Sequence, residues 1–414
     1  MIKQTVSHAV QMLMTPEAVR ERCGQLFKAA EVGELKYFDL NLNALERTVF
    51  CVINEIKNNY PNGVVPFHSR WRHFELNNTD LWATVVEKHR HLTREEIARA
   101  RIDLAVISVL LDAGAGPKWT YYDTTTGLNL GRSEGLALAS LRLFESGILS
   151  ADGRDDPLRA DAKSLESLKC QSLATALQIK DENSLIGLPQ RTKLLVKLGE
   201  ALRQHPEVFG YGIDARPGNL FDHLKSKARN SNIPAREILL VLLHNLGEIW
   251  PNGKWVGDTC IGDIGYHSLI RINNETDKMI PFHKLSQWMT YSLIEPLEGA
   301  NLNITDLDAL TGLAEYRNGG LFIDTGVLNL KDPDLITKSH APDSEIVVEW
   351  RALTIVLLDK IANLIRVESG KNKNTLPMAS ILQGGTWAAG RRLANEIRDN
   401  GEPPFIIDSD GTVF

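Results

Sequence analysis

Cysteine is scarce in this chain. Cys23, Cys51, Cys170 and Cys260 are scattered over 414 residues without a C-x-x-C pair. That spacing excludes a disulfide framework and a zinc ribbon, and it points to a reducing compartment. H-E-x-x-H does not occur, and no G-x-G-x-x-G follows a strand-like run. The sequence therefore lacks the marks of zincins and dinucleotide-binding folds. A surplus of positive charge is missing as well. With 46 basic against 52 acidic residues and a net charge of −6, no broad basic face is available to displace counterions, so nucleic acid is not an expected partner. A local pocket for one small phosphate stays open. The longest apolar runs, Ile238 to Leu243 and Leu104 to Leu111, fall far short of the ~20 residues that span a bilayer. Met1 to Met14 lacks the basic-then-apolar order of a secretory leader. The expectation is a cytoplasmic protein that does not enter membranes.

What is present is helical periodicity in an ordinary globular composition, 43% hydrophobic and 24% charged. Thr15-Pro16 reads as an N-cap with proline at the first helical position, followed by a stripe of Val19, Cys23, Leu26, Phe27 and Ala30. Asn43 with Glu46, and Thr93 with Glu96, read as capping boxes, the second opening a helix to about Asp112. Further helices are expected at 133–146, 190–204, 234–247, 283–294, 305–317 and 349–366. The apolar character of 234–247 and 349–366 on nearly every side places both at the centre. Strand signals are short: Val64 to Phe67, Trp119 to Tyr122, Tyr266 to Ile272 and Leu321 to Val327, with a hairpin-like Asp410-Gly411 near the end. The expected fold is mainly α, a single helical globular domain over 1–414 with a few short strands. If it has a seam, the polar stretch 150–164 is the place for it.

Candidate chemistry concentrates in a few segments. His68, Arg70 and Trp71 stand in a run of arginine, histidine and aromatics, a set suited to stacking on a planar ligand with an anionic end. A surface turn with Trp71 plugging the core fits the same residues. In the segment from Pro281 to Pro296, which also carries His283, helical spacing puts Lys284, Gln287, Tyr291 and Glu295 on one polar face. Tyrosine and glutamine there look more like a pocket lining than a solvent face. Glu315 is expected in the last turn of the 305–317 helix, where the macrodipole disfavours an acid by ~0.3–1 kcal/mol. Asp324 stands in an apolar run and needs a partner or a ligand. Asp258 lies in a glycine-punctuated stretch that lets backbone approach a ligand. His89 and His91 form an H-x-H without a carboxylate at ligand spacing, so no metal site is expected. His244 reads as a buried, hydrogen-bonded core histidine.

These segments resemble the uracil catabolism protein 4, or uracil-regulated, family. The carriers are PFHSRW at 66–71, DAGAGPKWTYYD at 112–123, PFHKLSQWMTYSLIEPLE at 281–298 and LTGLAEYRNGGLFIDTGVL at 310–328. The family resemblance implies a role in degrading uracil through ribosylated urea intermediates, without naming a reaction. A more distant likeness joins Lys284-Leu285-Ser286-Gln287 and Leu310 to Arg317 to queuosine nucleotide N-glycosidases, helical proteins related to DNA glycosylases. It implies a DNA-glycosylase-like helical core and cleavage of a C–N bond to ribose 5-phosphate. The aspartate of that family falls on Glu315 here, one methylene longer.

Joined, the two likenesses imply an N-glycosidase acting on a ribosylurea, as its 5-phosphate, without metal or organic cofactor. Glu315 would stabilise the sugar cation and activate water. Lys284 and Arg317 would hold the phosphate, with His283, Gln287 and Tyr291 alongside. Asp324 or Asp258 would bind ribose or urea, and His68, Arg70 and Trp71 or Trp288 would close a wall. An amidohydrolase that cleaves the urea C–N bond and a non-catalytic sensor of a uracil-derived nucleotide are the other classes left open.

Overall fold

Two helix starts follow the caps read from the sequence. The Thr15 hydroxyl accepts from the Ala18 N–H at 3.2 Å and opens the helix Pro16–Glu31. Thr93 does the same for Glu96 at 3.1 Å and opens Arg94–Leu111. A side-chain cap of this kind satisfies one of the orphan donors of the first turn. The computed structural model describes residues 7–76, 79–112, 114–153, 155–251 and 253–408. Asp410-Gly411 lies outside them. The described residues fall into two bodies.

The first body holds residues 7–68, 253–291 and 306–408. Its axis is the helix Glu345–Glu368, in which every residue from Ile346 to Ile355 is buried. Each fully buried leucine or isoleucine there contributes roughly 1.5–3 kcal/mol, which makes this helix the body's nucleus. Pro16–Glu31, Leu45–Asn59 and Tyr316–Asp324 pack on it. Trp387–Ile397 crosses Tyr316–Asp324 closely: a Cβ on Gly390 would lie 2.2 Å from the Arg317 carbonyl oxygen. Gly390→Ala should therefore cost about 1–3 kcal/mol through overpacking against backbone, read as a drop of several degrees in Tm.

The second body holds 69–251 and 292–305. Arg94–Leu111 is its most buried helix, packed with Arg132–Glu145 and Leu188–Gln204. Buried Asp103 accepts from the Ala160 and Gly218 N–H groups and pairs with Arg216 at 2.6 Å, so its charge is matched as a buried acid requires. The stretch 150–164 lies inside this body, and the chain passes between bodies at 68/69, 252/253, 291/292 and 305/306.

Strands of the described residues are two to four residues long and pair only in twos. The fold is mainly α. Several local expectations need correction. No helix spans 305–317: that stretch is a short strand Asn303–Thr305, a 3-10 turn Leu307–Ala309 and an extended run. Leu321 to Val327 is mostly the helix Tyr316–Asp324, and Val64 to Phe67 forms no strand. Tyr266 to Ile272 contributes only the end of Ile264–Tyr266. Leu45–Asn59 starts behind a 3-10 turn without a side-chain cap, so Asn43 does not act as one. His244 is exposed and bonds its own helix at the Leu240 carbonyl. Its helix Ala235–Leu246 is buried on one face only.

Candidate functional site

The backbone of 306–315 carries few local hydrogen bonds, and side chains from elsewhere supply the rest. Arg20 donates to the carbonyls of Asp308, Ala309 and Leu310 at 2.8–3.1 Å and is held by Asp359. Asp308 pairs with Arg366 at 2.6 Å and accepts the Met378 N–H. From the helix Lys284–Glu298, Gln287 accepts the Thr311 N–H at 2.7 Å and donates to the Thr311 hydroxyl, while the Tyr291 hydroxyl donates to the Thr311 carbonyl at 2.9 Å. Both side chains are fully buried. The polar stripe read from the sequence thus faces inward, and its two central members grip this segment.

The segment delivers Glu315 to the N-cap of Tyr316–Asp324. One carboxylate oxygen accepts the Arg317 N–H at 2.8 Å and the other the Asn318 N–H at 2.6 Å. Glu315 is therefore at the start of a helix, where the dipole favours an anion, and not in a last turn. Glutamate is an uncommon cap; the shorter Ser, Thr, Asp and Asn dominate that position. The residue is half-buried. Burial pushes its carboxyl above the usual range, while the two amides and the charges of Lys284 and Arg317 pull it back. The result is a carboxylate that is held in place and is more basic than a solvated one.

Lys284 begins its helix beside a tight device. His283 adopts φ +51°, a left-handed conformation costly for a non-glycine residue. Its Nε2–H donates to the Leu13 carbonyl at 2.8 Å. Its Nδ1 packs on Gly262, whose Cβ, if present, would lie 3.2 Å away. Asp263 accepts the Lys284 N–H at 3.1 Å and forms a two-pronged pair with Arg351 at 2.9 and 2.6 Å. Although burial works against it, the Arg351 guanidinium holds the Asp263 carboxyl down at about 2. Asp263 and Arg351 fix where Lys284 starts, and sequence reasoning missed both. The glycine-punctuated stretch was the available signal, but its exposed member, Asp258, attracted the assignment.

The remaining expected site residues separate. His68 belongs to the first body, stacked near Trp288 and Trp387 at centroid distances of 6.4 and 5.9 Å. Arg317 turns its guanidinium to the Gly401 carbonyl at 2.7 Å and over the Tyr316 ring. Asp324 is taken by Arg398 in a two-pronged pair at 2.6 and 2.7 Å, so it needs no ligand. Asp258 sits exposed on the turn between Lys254–Val256 and Thr259–Gly262 and pairs with no described residue. Arg70 and Trp71 lie in the second body. Arg70 is fully buried against Asp112 at 2.9 Å and Ser108, and Trp71 packs on Phe74 and Trp82 with its Nε1–H on the Ser292 carbonyl. Both behave as core residues, with Arg101 stacked on Trp71 at 4.4 Å. Among the described residues no cluster of His, Cys, Asp and Glu suits a metal ion. No described helix is long and apolar enough to cross a membrane.

The grip on Thr311 is testable. Gln287→Leu leaves a buried N–H without an acceptor, so stability should fall by about 1–3 kcal/mol. Tyr291→Phe removes one neutral hydrogen bond and should cost about 1 kcal/mol. Denaturant midpoints of the two variants check that order.

Fold and site define a mainly α protein in which a glutamate caps a short helix under the influence of a lysine charge. The chain belongs to the family described as "Protein of unknown function (DUF1688)", matched over residues 12–414. It is similar to "Uracil catabolism protein 4" of Lachancea kluyveri, 35% identical over 450 residues, covering 99% of this chain and 100% of that protein. It is likewise similar to "Protein urg3" of Schizosaccharomyces pombe (strain 972 / ATCC 24843), 34% identical over 416 residues with 99% and 100% covered. The family resemblance read from the sequence is thereby confirmed.

Proposed function

We propose that this chain acts in uracil catabolism, as the name of its Lachancea kluyveri relative says of that protein, and that it is an N-glycosidase. Its substrate is a ribosylurea carrying a 5-phosphate, and its products are urea and ribose 5-phosphate. The observation that supports this is the Glu315 carboxylate, held at both oxygens by the Arg317 and Asn318 amides, with the Lys284 charge acting on it.

As the C1′–N bond breaks, its electron pair goes to the ureido nitrogen and positive charge develops on the sugar ring. A fixed anion beneath the ring stabilises that charge without reorganising. Glu315 then takes the proton of the water whose oxygen bonds to C1′, and the ureido nitrogen gains a proton, which closes the balance. Lys284 binds the phosphate, whose binding energy orients the sugar away from the reacting bond. Arg317, Asp324 and Asp258 take no part in this scheme, and Gln287 and Tyr291 act by positioning. The scheme uses no metal or organic cofactor.

Incubation with ribosylurea 5-phosphate, ribosylurea and uridine monophosphate tests the assignment. Equal release of reducing sugar and urea from the first is expected. Ammonia in place of urea would transfer the activity to the urea C–N bond, and ligand binding without turnover would make the protein a sensor.

A further inference from the structure

Around His68 the first body holds buried polar atoms that no packing role accounts for. His68 is 7% exposed, and its Nδ1–H donates to the Gln383 side-chain oxygen at 2.9 Å. That bond fixes the tautomer and leaves Nε2 as an acceptor without a partner among the described residues. Burial lowers the imidazole to about 4, so it is neutral at physiological pH. Gln383 lies in the π-helical turn Leu382–Thr386, a geometry found disproportionately at functional sites. In the same turn the Thr386 hydroxyl is fully buried and unbonded. So is the side-chain oxygen of Asn318, whose N–H holds Glu315. Buried groups left unpaired are costly and call for an explanation.

These groups belong to one neighbourhood. Gly390, one turn after Thr386, packs against the carbonyl of Arg317, the residue before Asn318. Trp387 follows Thr386 and stacks near His68. Trp288, also near His68, is one helical turn from Lys284, whose charge acts on Glu315. Two acceptors, one hydroxyl and two indole walls match a flat, uncharged group with several N–H donors and one carbonyl.

The geometry points to a leaving-group subsite in which His68, Asn318 and Thr386, flanked by Trp288 and Trp387, bind the ureido end of the substrate. This inference rests on the N-glycosidase reading, and it adds the element that recognises urea. Leaving groups without N–H donors gain nothing from it.

Calorimetric titration of the Glu315→Gln protein reads the subsite without turnover. Ribosylurea 5-phosphate should bind at least tenfold more tightly than ribose 5-phosphate. Adding His68→Leu or Thr386→Val should remove most of that difference and leave ribose 5-phosphate affinity unchanged. Thr386→Val is near-isosteric and breaks no protein hydrogen bond, so its Tm should not fall. That guards against a misfolded His68→Leu protein. Equal affinity for the two ligands, or a preference that survives both substitutions, would overturn the subsite. An intact preference with no sugar release by the wild type would leave the subsite standing and remove the catalytic reading.

Discussion

Glu315→Gln should lower kcat by on the order of 10²–10³-fold, the loss typical of removing one preorganised electrostatic stabiliser, with KM little changed. Glutamine preserves length and one acceptor oxygen, so the cap is weakened and not abolished; about 1 kcal/mol of stability is the expected cost. A purely structural cap would show the stability change without the kinetic one, which is why the glutamine variant is the informative choice. The pH dependence adds a second check with opposite signs. Burial raises the Glu315 carboxyl above its unfolded value, so the folded state binds its proton more tightly. Its contribution to stability is present below the unfolded pKa of about 4.3 and is lost as pH rises through the folded value. Turnover, which needs the anion, rises over the same interval. Both trends should vanish in Glu315→Gln, measured by thermal unfolding and by the acid limb of kcat.

Asp263→Ala should be the most destabilising single change near the site, at about 3–5 kcal/mol, because it removes the two-pronged carboxylate partner of the buried Arg351 guanidinium. Arg351 also lies over the Phe282 ring at 4.0 Å, so relaxation into solvent is restricted. The Lys284 N–H loses its acceptor in the same substitution, and the helix start moves with it. Here the linkage runs the other way. Asp263 is held down at about 2, so its contribution is complete above the unfolded pKa of about 3.9 and is lost as pH falls toward 2. Denaturant titrations between pH 6 and pH 3 should show a steeper acid loss for wild type than for Asp263→Ala.

Helices with an amphipathic stripe or a local cap could be read directly: Pro16–Glu31, Arg94–Leu111 and the buried axis Glu345–Glu368 all follow from spacing and capping residues. The segment 305–317 could not. Its helical pattern loses to hydrogen bonds from Arg20, Arg366, Gln287 and Tyr291, partners remote in sequence that satisfy the backbone in an extended form. For the same reason the position of Glu315 reversed, from the end of one helix to the start of the next. Its carboxylate is therefore not placed against the dipole, and the likeness to the N-glycosidases is what still singles the residue out. Asp324 and Arg317 looked like ligand groups because Arg398 and the Gly401 carbonyl are invisible from local context. Arg70 and Trp71 read equally as stacking or core residues from the sequence, and both are buried in the structure.

The central claim is that the bond broken joins nitrogen to the sugar. Carbon NMR of a reaction with ribosylurea 5-phosphate labelled with ¹³C at the urea carbon reads this directly, with wild type and Glu315→Gln compared. The account predicts that wild type converts the label to free urea as ribose 5-phosphate appears, and that Glu315→Gln does so far more slowly. Label emerging as bicarbonate with ammonia, or equal conversion by both proteins, would contradict it.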